Sequence, residues 1–416
     1  MSQTETLTAV NNAIVLYKNG WIGSAADLCA SANLGCHFEE LQGLQPEAKK
    51  DLVEIVTLNP ESIRNHKSAI GPHKPLVVLG NQVVGTLHFT SSLSEYQKRI
   101  AFKSAVRLID LETSSQCNRR CEYCVNATYD ETRDRFSKNI FMNDEIFASI
   151  IDPLAEIGFV GRIAFHYLNE PLMFVDSLVE RIAFARQKLP NATLTVYTNG
   201  DFLTRPVLDR LAAAGVNAVE ITAHLQRGQN YTESKILTRI FNKAKELGLA
   251  AVLSDYREGE SIGFTLSGSS MAVRMILVNY MRYGHSRGNL LDGVGRQVEA
   301  RTKPCKQPLD WFVVNYTGAV TACCDLVADS PAHRNFVTGQ LSTSNIFDIY
   351  SGPAYVSWRK GTMMSGEKRD PCGACPSDID REFMPGWDDL IAQAIDGAIA
   401  IERSAEPSAA PLEAAA

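Results

Sequence analysis

The chain has 416 residues, 45% hydrophobic and 21% charged, with a formal net charge of -6 and a pI near 5.8. That is a globular composition, long enough for a barrel-sized core plus one or two smaller modules. It excludes a largely disordered chain, offers no basic run for a phosphate backbone, and has no stretch of about 18 apolar residues to span a membrane. Neither nucleic acid nor membrane is therefore an expected partner.

The N-terminus, "MSQTETLTAVNNA", lacks the basic segment and apolar run of a secretory signal, so a cytoplasmic protein is expected. Residues 1–70 show apolar positions at three- and four-residue spacing and are expected to be mostly helical. Cys29 and Cys36 fall there and read as small buried hydrophobes. "KPLVVLGNQVVGTLHFT" reads as two short strands around Gly80, closing an N-terminal extension of unknown role over 1–100.

From about residue 105 the pattern alternates. "AVRLIDLE", "RIAFHYL", "LTVYTNG", "AVEITAHL", "AAVLSDY" and "AVRMILVNY" are β-rich, and amphipathic helical runs lie between most of them. Six such runs predict parallel strands with right-handed crossovers, a partial (β/α)6 TIM-type barrel of α/β class over 105–300. Chemistry in such folds gathers at the C-terminal strand ends. The alternation is expected to stop after "SRGNLLDG". Residues 301–385 are turn-rich and hold half of the ten cysteines, as in a small metal-stapled module. A final helix and a frayed tail are expected over 386–416.

Cysteines grouped in a reducing compartment point to metal or redox chemistry rather than disulfides. Directly after the first barrel strand, "SSQCNRRCEYCVNA" carries Cys117, Cys121 and Cys124. Three thiolates at this uneven spacing suit three irons of a cubane cluster with the fourth iron open. Structural zinc wants four closed ligands. The motif, with Tyr123 before its last cysteine, resembles the signature of the radical S-adenosylmethionine enzymes. The resemblance implies a 4Fe-4S cluster whose open iron chelates S-adenosylmethionine, and cleavage to a 5'-deoxyadenosyl radical that takes hydrogen from a substrate.

Other strand ends agree with that family. "HYLNEPLM" stands where its second strand carries Gly-Gly-Glu-Pro, so the resemblance gives Glu170 the methionyl ammonium. "YTNG" is similar to its Thr-Asn-Gly and offers Thr198 and Asn199 to the cofactor; Thr222 in "EITAHL" falls at a common ribose-binding position. Further on, Cys305, Cys323, Cys372 and Cys375 resemble the twitch module, the shortened SPASM domain, which implies one fully ligated auxiliary 4Fe-4S cluster. Zinc remains the alternative for these four. Cys324 reads as an adjacent spare.

The polar residues expected near the barrel mouth are His166, His224, Asp255, Tyr256, Tyr283, His285 and Arg287, with His224, Tyr256, His285 and Arg287 the catalytic candidates. A polar small-molecule substrate follows, and the family implies a flavodoxin- or ferredoxin-type reductant. A barrel without cysteine between 125 and 304 favours oxidation or elimination over epimerisation, and an auxiliary cluster able to accept an electron suits dehydrogenation, as in the family's aminocyclitol dehydrogenases of natural-product biosynthesis. The alternatives are a sugar epimerase or dehydratase, and a maturase acting on a ribosomally made precursor peptide.

Overall fold

The computed structural model describes residues 76–405, apart from 80–81, 129–134, 136–137, 226, 378 and 384–385. The expected N-terminal helices, Cys29, Cys36 and the tail lie outside these residues. In chain order the elements are β1 (Leu76–Leu79), β2 (Gln82–Gly85), α1 (Glu95–Ala105), β3 (Leu108–Leu111), α2 (Asp144–Glu156), β4 (Arg162–Ala164), α3 (Val175–Lys188) and β5 (Thr193–Thr198). Then come α4 (Arg205–Ala213), β6 (Ala218–Thr222), α5 (Glu233–Leu247), β7 (Ala250–Arg257), β8 (Ser261–Ser267), β9 (Ala272–Val278) and α6 (Tyr280–Tyr283). The rest are α7 (Gln307–Asp310), β10 (Trp311–Val314), β11 (Ala319–Thr321), β12 (Val337–Gln340), α8 (Ile346–Ser351), α9 (Pro353–Thr362) and α10 (Trp387–Ala405). Among the described residues no helix is long and apolar enough to cross a membrane.

The chain divides into two compact units, one of Met1–Ala105, Tyr350–Met364 and Glu382–Ala416, the other of Val106–Ile349 and Ser365–Arg381. In the first, the two expected strands are β1 and β2, which pair antiparallel with Leu76 opposite Gly85. Arg359 is fully buried there, its guanidinium 4.3 Å from the Tyr350 ring centre and 5.2 Å from that of Tyr355.

The second unit holds a mixed sheet in the order β12-β11-β10-β3-β4-β5-β6-β9-β8-β7. Strands β10, β3, β4, β5, β6 and β9 run parallel. Ile109, Ile163, Leu194, Val196, Val219 and Ile221 are wholly buried along them, which is why these runs are nearly continuous hydrophobes. The covering helices follow from their periodicity. In α5, Ile236, Ile240, Ala244 and Leu247 form the buried stripe, and Gly248 closes the helix in the left-handed conformation at φ 65°. Asn143 caps α2 by accepting from Glu145 N–H at 2.6 Å.

The α/β class and the parallel core match expectation, but two strands differ. "AAVLSDY" is β7, antiparallel to β8. Only Glu258–Glu260 separate the two strands, with Gly259 at φ 67°, far short of the dozen or so residues a parallel crossover needs. The sixth parallel strand is β10, paired on the outer side of β3, from the cysteine-rich stretch where alternation was expected to have ended. Strand β7 is an edge, with Val252 and Leu253 more than half exposed.

Candidate active site

Cys117, Cys121 and Cys124 lie on the loop leaving the C-terminal end of β3, at the expected rim. The loop is tied down before the first thiol: Ser115 N–H donates to Ile140 O at 2.9 Å, Gln116 Nε2 to Lys138 O at 2.7 Å, and Glu170 N–H to Gln116 O at 2.8 Å. Within it, Cys124 N–H closes a turn onto Cys121 O at 2.9 Å. Arg119 then grips Asp201 with Nε and Nη2 at 2.7 and 2.6 Å, while Asn118 bridges Asp201 and Asn199 at 2.8 and 2.7 Å. Burial opposes ionisation of Asp201, but the hydrogen bonds and charge of Arg119 hold its carboxyl below the ordinary range.

Burial and the charge of Cys124 push Cys117 up to about 12 and Cys121 up to about 11, a backbone N–H lowering the first and the Arg119 charge the second. Thiols that raise one another in this way would need compensating positive charge to ionise together, and iron would supply it while taking sulfur ligands. The donor set therefore fits a cluster. Among the described residues no group of three or more His, Cys, Asp and Glu is gathered tightly enough for a single metal ion.

Glu170, Thr198 and Asn199 come together beside this loop. The Glu170 carboxylate is 2% exposed and accepts from Thr198 Oγ1 at 2.6 Å, Asn199 N–H at 2.7 Å and Leu172 N–H at 3.1 Å. Burial raises its carboxyl to about 7 in spite of those three bonds. A buried carboxylate of this kind, with acceptor capacity left on the oxygen that takes only the Asn199 bond, suits an ammonium.

Tyr123 stands in an aromatic row. Its ring stacks on Tyr280 at 4.9 Å and on His224 at 5.7 Å, and its hydroxyl lies 3.0 Å from His224 Nδ1. Burial, with the nearby Arg119 charge, lowers His224 to about 3, so it is neutral at pH 7. Thr222 reaches the same row through a side-chain hydrogen bond to Tyr280. A cavity of about 390 Å³ opens beside it, lined among others by Glu122, Tyr123, Tyr231, Asn279 and Tyr280.

The second thiol set also converges. Burial, and then the charges of neighbouring Asp325 and cysteines, push Cys323 well above its usual value, with Cys372 and Cys375 among those neighbours. Burial and Cys305 push Cys372 to about 12, and Cys305 also acts on Cys375. Arg301, 1% exposed, is the staple. Its Nη1 donates to Cys375 O at 3.2 Å and to Ser377 O, its Nη2 to Pro304 O at 2.8 Å, and its own N–H to Gly373 O at 2.7 Å.

The turn after Cys323 gathers a polar cluster. Asp325 lies 3.1 Å from His285 Nδ1, 3.7 Å from an Arg287 nitrogen and 3.7 Å from the Cys375 thiol, and Arg287 Nη1 donates to Cys324 O at 2.8 Å. Burial opposes it, but His285 and Arg287 hold the Asp325 carboxyl down to about 2. The Arg287 charge also acts on His166, which burial lowers to about 3, and on Asp110. Tyr283 lies under the Arg282 guanidinium at 5.3 Å. Tyr256 and Asp255 are not gathered here: on the β7 edge, Tyr256 is half-exposed and donates to Glu233 at 3.2 Å, and Asp255 lies 4.0 Å from Arg274.

Sequence reasoning missed several participants. Asp110 is buried on β3, accepts from Trp311 Nε1 at 2.8 Å and is raised by burial to about 7. Arg119 and Asn118 lay inside the cysteine motif, Asp201 directly after "YTNG", and Asp325 directly after Cys324, so adjacency to recognised motifs was the available signal. Arg301 and Tyr280 offered none.

With a parallel sheet, a rim trio of thiols, an adjacent buried glutamate and a second four-thiol set, the chain has the parts of a radical S-adenosylmethionine enzyme with an auxiliary iron–sulfur module. Residues 111–225 match the model of the radical SAM superfamily, and residues 305–376 match that of the SPASM iron–sulfur cluster-binding domain. The chain thus carries a radical SAM domain followed by a SPASM-type iron–sulfur domain. Among its relatives is the S-adenosyl-L-methionine-dependent 2-deoxy-scyllo-inosamine dehydrogenase of Niallia circulans, 26% identical over 270 residues, which are 64% of this chain and 92% of the relative. Solved structures similar to it include BtrN in complex with AdoMet and 2-DOIA, at 24% identity and TM-score 0.45 over 62% of this chain and 88% of that one. Another is anSMEcpe with bound AdoMet, at 13% identity and TM-score 0.37 over 71% of this chain and 98% of that one.

Proposed function

We propose that this enzyme dehydrogenates a secondary alcohol of a polar small molecule, an aminocyclitol or related sugar, to the ketone. The observation that carries the reading is the Cys323–Asp325 turn: it belongs to the second thiol set and also supplies the partners of His285 and Arg287. A substrate held by His285 and Arg287 would in this reading lie close to the second thiol set. The 26% identical relative, named for oxidising an inosamine, supports it.

In this reading Cys117, Cys121 and Cys124 hold the open cluster, Cys305, Cys323, Cys372 and Cys375 hold the auxiliary one, and Glu170 pairs with the methionyl ammonium. Thr198 and Asn199 orient Glu170, while Tyr123, Tyr280 and Thr222 flank the nucleoside. When bound, S-adenosylmethionine and the two clusters supply the hydrogen-abstracting 5'-deoxyadenosyl group and an acceptor for the last electron. Oxidation of the alcohol releases one hydrogen atom, one proton and one electron. His285, oriented by Asp325, takes the hydroxyl proton, as a carboxylate-held imidazole does elsewhere. Arg287 orients substrate oxygens. Val125, Tyr167, Leu168, Val313 and Val327, all buried, form an apolar cluster packed against Cys124 and Cys324 that would help exclude water from the bound cofactor. A flavodoxin- or ferredoxin-type protein delivers the electrons. Anaerobic turnover of 2-deoxy-scyllo-inosamine tests the proposal: the amino ketone is expected, and an epimer or unchanged substrate would overturn it.

Glu170→Gln is expected to weaken S-adenosylmethionine by about ten- to a hundred-fold with iron unchanged, the loss of one charge-assisted hydrogen bond of about 1.5 to 3 kcal/mol. The pH dependence has a definite sign. Below about 7 the cofactor-free carboxyl carries a proton, which the ammonium must displace. Affinity should therefore be full above that pH and fall by about tenfold per unit beneath it. Equilibrium titrations near pH 6 and pH 8 check this; a flat profile in the wild type, or an unchanged slope in Glu170→Gln, removes Glu170 from the role.

A further inference from the structure

Three successive residues, Arg287, Gly288 and Asn289, occupy the left-handed region at φ 51°, 59° and 67°, and among the described residues Arg287 and Asn289 are the non-glycine positions that do so. A side chain disfavours that conformation, which persists where its surroundings over-determine it. The surroundings here are specific. His333, on the short helical turn Pro331–Phe336 that follows the Cys323–Asp325 segment, is 2% exposed. Its Nδ1 accepts from Val327 N–H at 2.9 Å, which leaves Nε2–H to donate to Gly288 O at 2.8 Å. Contact is close enough that a Cβ on Gly288 would come within 2.8 Å of His333 Cε1. From the other side, Arg287 Nη1 donates to Cys324 O at 2.8 Å.

We infer that His333 is a positioning residue: by holding the Gly288 carbonyl it locks the left-handed turn that aims Arg287 into the polar cluster. The inference rests on the reading of Arg287 as a substrate contact given above. It makes the direction of the arginine depend on the auxiliary module, whose chain supplies the imidazole, Cys324 O and Asp325. Gln spans the same donor and acceptor pair with its amide, so His333→Gln should preserve the lock. His333→Phe keeps an aromatic ring and loses both bonds, and Gly288→Ala strains the contact from its other side.

The test uses the full chain, anaerobically reconstituted, with two readouts. First, arginine-selective dicarbonyl labelling is followed at Arg287 by peptide mass spectrometry, with Arg162, 44% exposed, as reference. His333→Phe and Gly288→Ala should label Arg287 at least about five-fold faster, as expected of local opening, with Arg162 and iron content unchanged and His333→Gln close to wild type. Second, with 2-deoxy-scyllo-inosamine the same two variants should raise KM about tenfold and release more 5'-deoxyadenosine per product. If wild type fails to oxidise this compound, the proposed reaction fails while the labelling still decides the role of His333. Unchanged Arg287 labelling in His333→Phe, or faster labelling of both arginines with loss of iron, would show His333 to be an ordinary core residue and overturn the inference.

Discussion

Replacing Cys117, Cys121 and Cys124 together by Ala should lower the iron of the reconstituted protein from about eight to about four per chain, as loss of one of two 4Fe-4S clusters requires, and abolish S-adenosylmethionine cleavage. The loop is anchored independently of its thiols, through Ser115, Gln116 and the Arg119–Asp201 pair, so the substitution should leave the β3 rim intact. The effect is all-or-none because the sequence offers no further cysteine between 125 and 304 to replace a sulfur ligand. Iron and zinc analysis with a cleavage assay reads it out. A colourless wild-type preparation carrying stoichiometric zinc would contradict the account for both sets.

The second large effect separates the two thiol sets. Cys372→Ser with Cys375→Ser should again remove about four irons, yet leave reductive cleavage of S-adenosylmethionine working while ketone formation stops. Metal sites contribute to folding, so destabilisation is a competing outcome. The geometry limits it. Arg301 grips this loop through backbone carbonyls, Cys375 O and Ser377 O among them, and those contacts survive a change of side chain. Retained cleavage is itself the control for a folded barrel. Ketone formation at the wild-type rate without the second cluster would end its proposed role as electron acceptor.

What was legible in the sequence follows from what one-dimensional patterns encode. The thiol trio and the strand-end motifs were visible because their ligands lie within a few positions, and the parallel core because its strands are buried on both faces. The β7–β8 hairpin was misread because a β-rich run shows no direction, and only the short turn at Gly259 decides it. Tyr256 was a candidate for the same reason, being near a strand end but on an exposed edge. Pairings across long separations, such as Arg119 with Asp201, Arg301 with Cys375 and His285 with Asp325, have no local signature. Nor does Asp110: an acidic residue in an apolar strand signals burial at a site, but not what it faces.

The most direct test of the dehydrogenation reading follows the hydrogen. 2-Deoxy-scyllo-inosamine carrying deuterium at the reacting carbon would be turned over anaerobically by the wild type, and both 5'-deoxyadenosine and the product examined by mass spectrometry. Deuterium in 5'-deoxyadenosine and an amino ketone in matching amount are expected. A repeat with unlabelled substrate in heavy water should yield the ketone with no inverted alcohol. Deuterium retained in the product, or an inverted alcohol bearing solvent deuterium at that carbon, would contradict that reading.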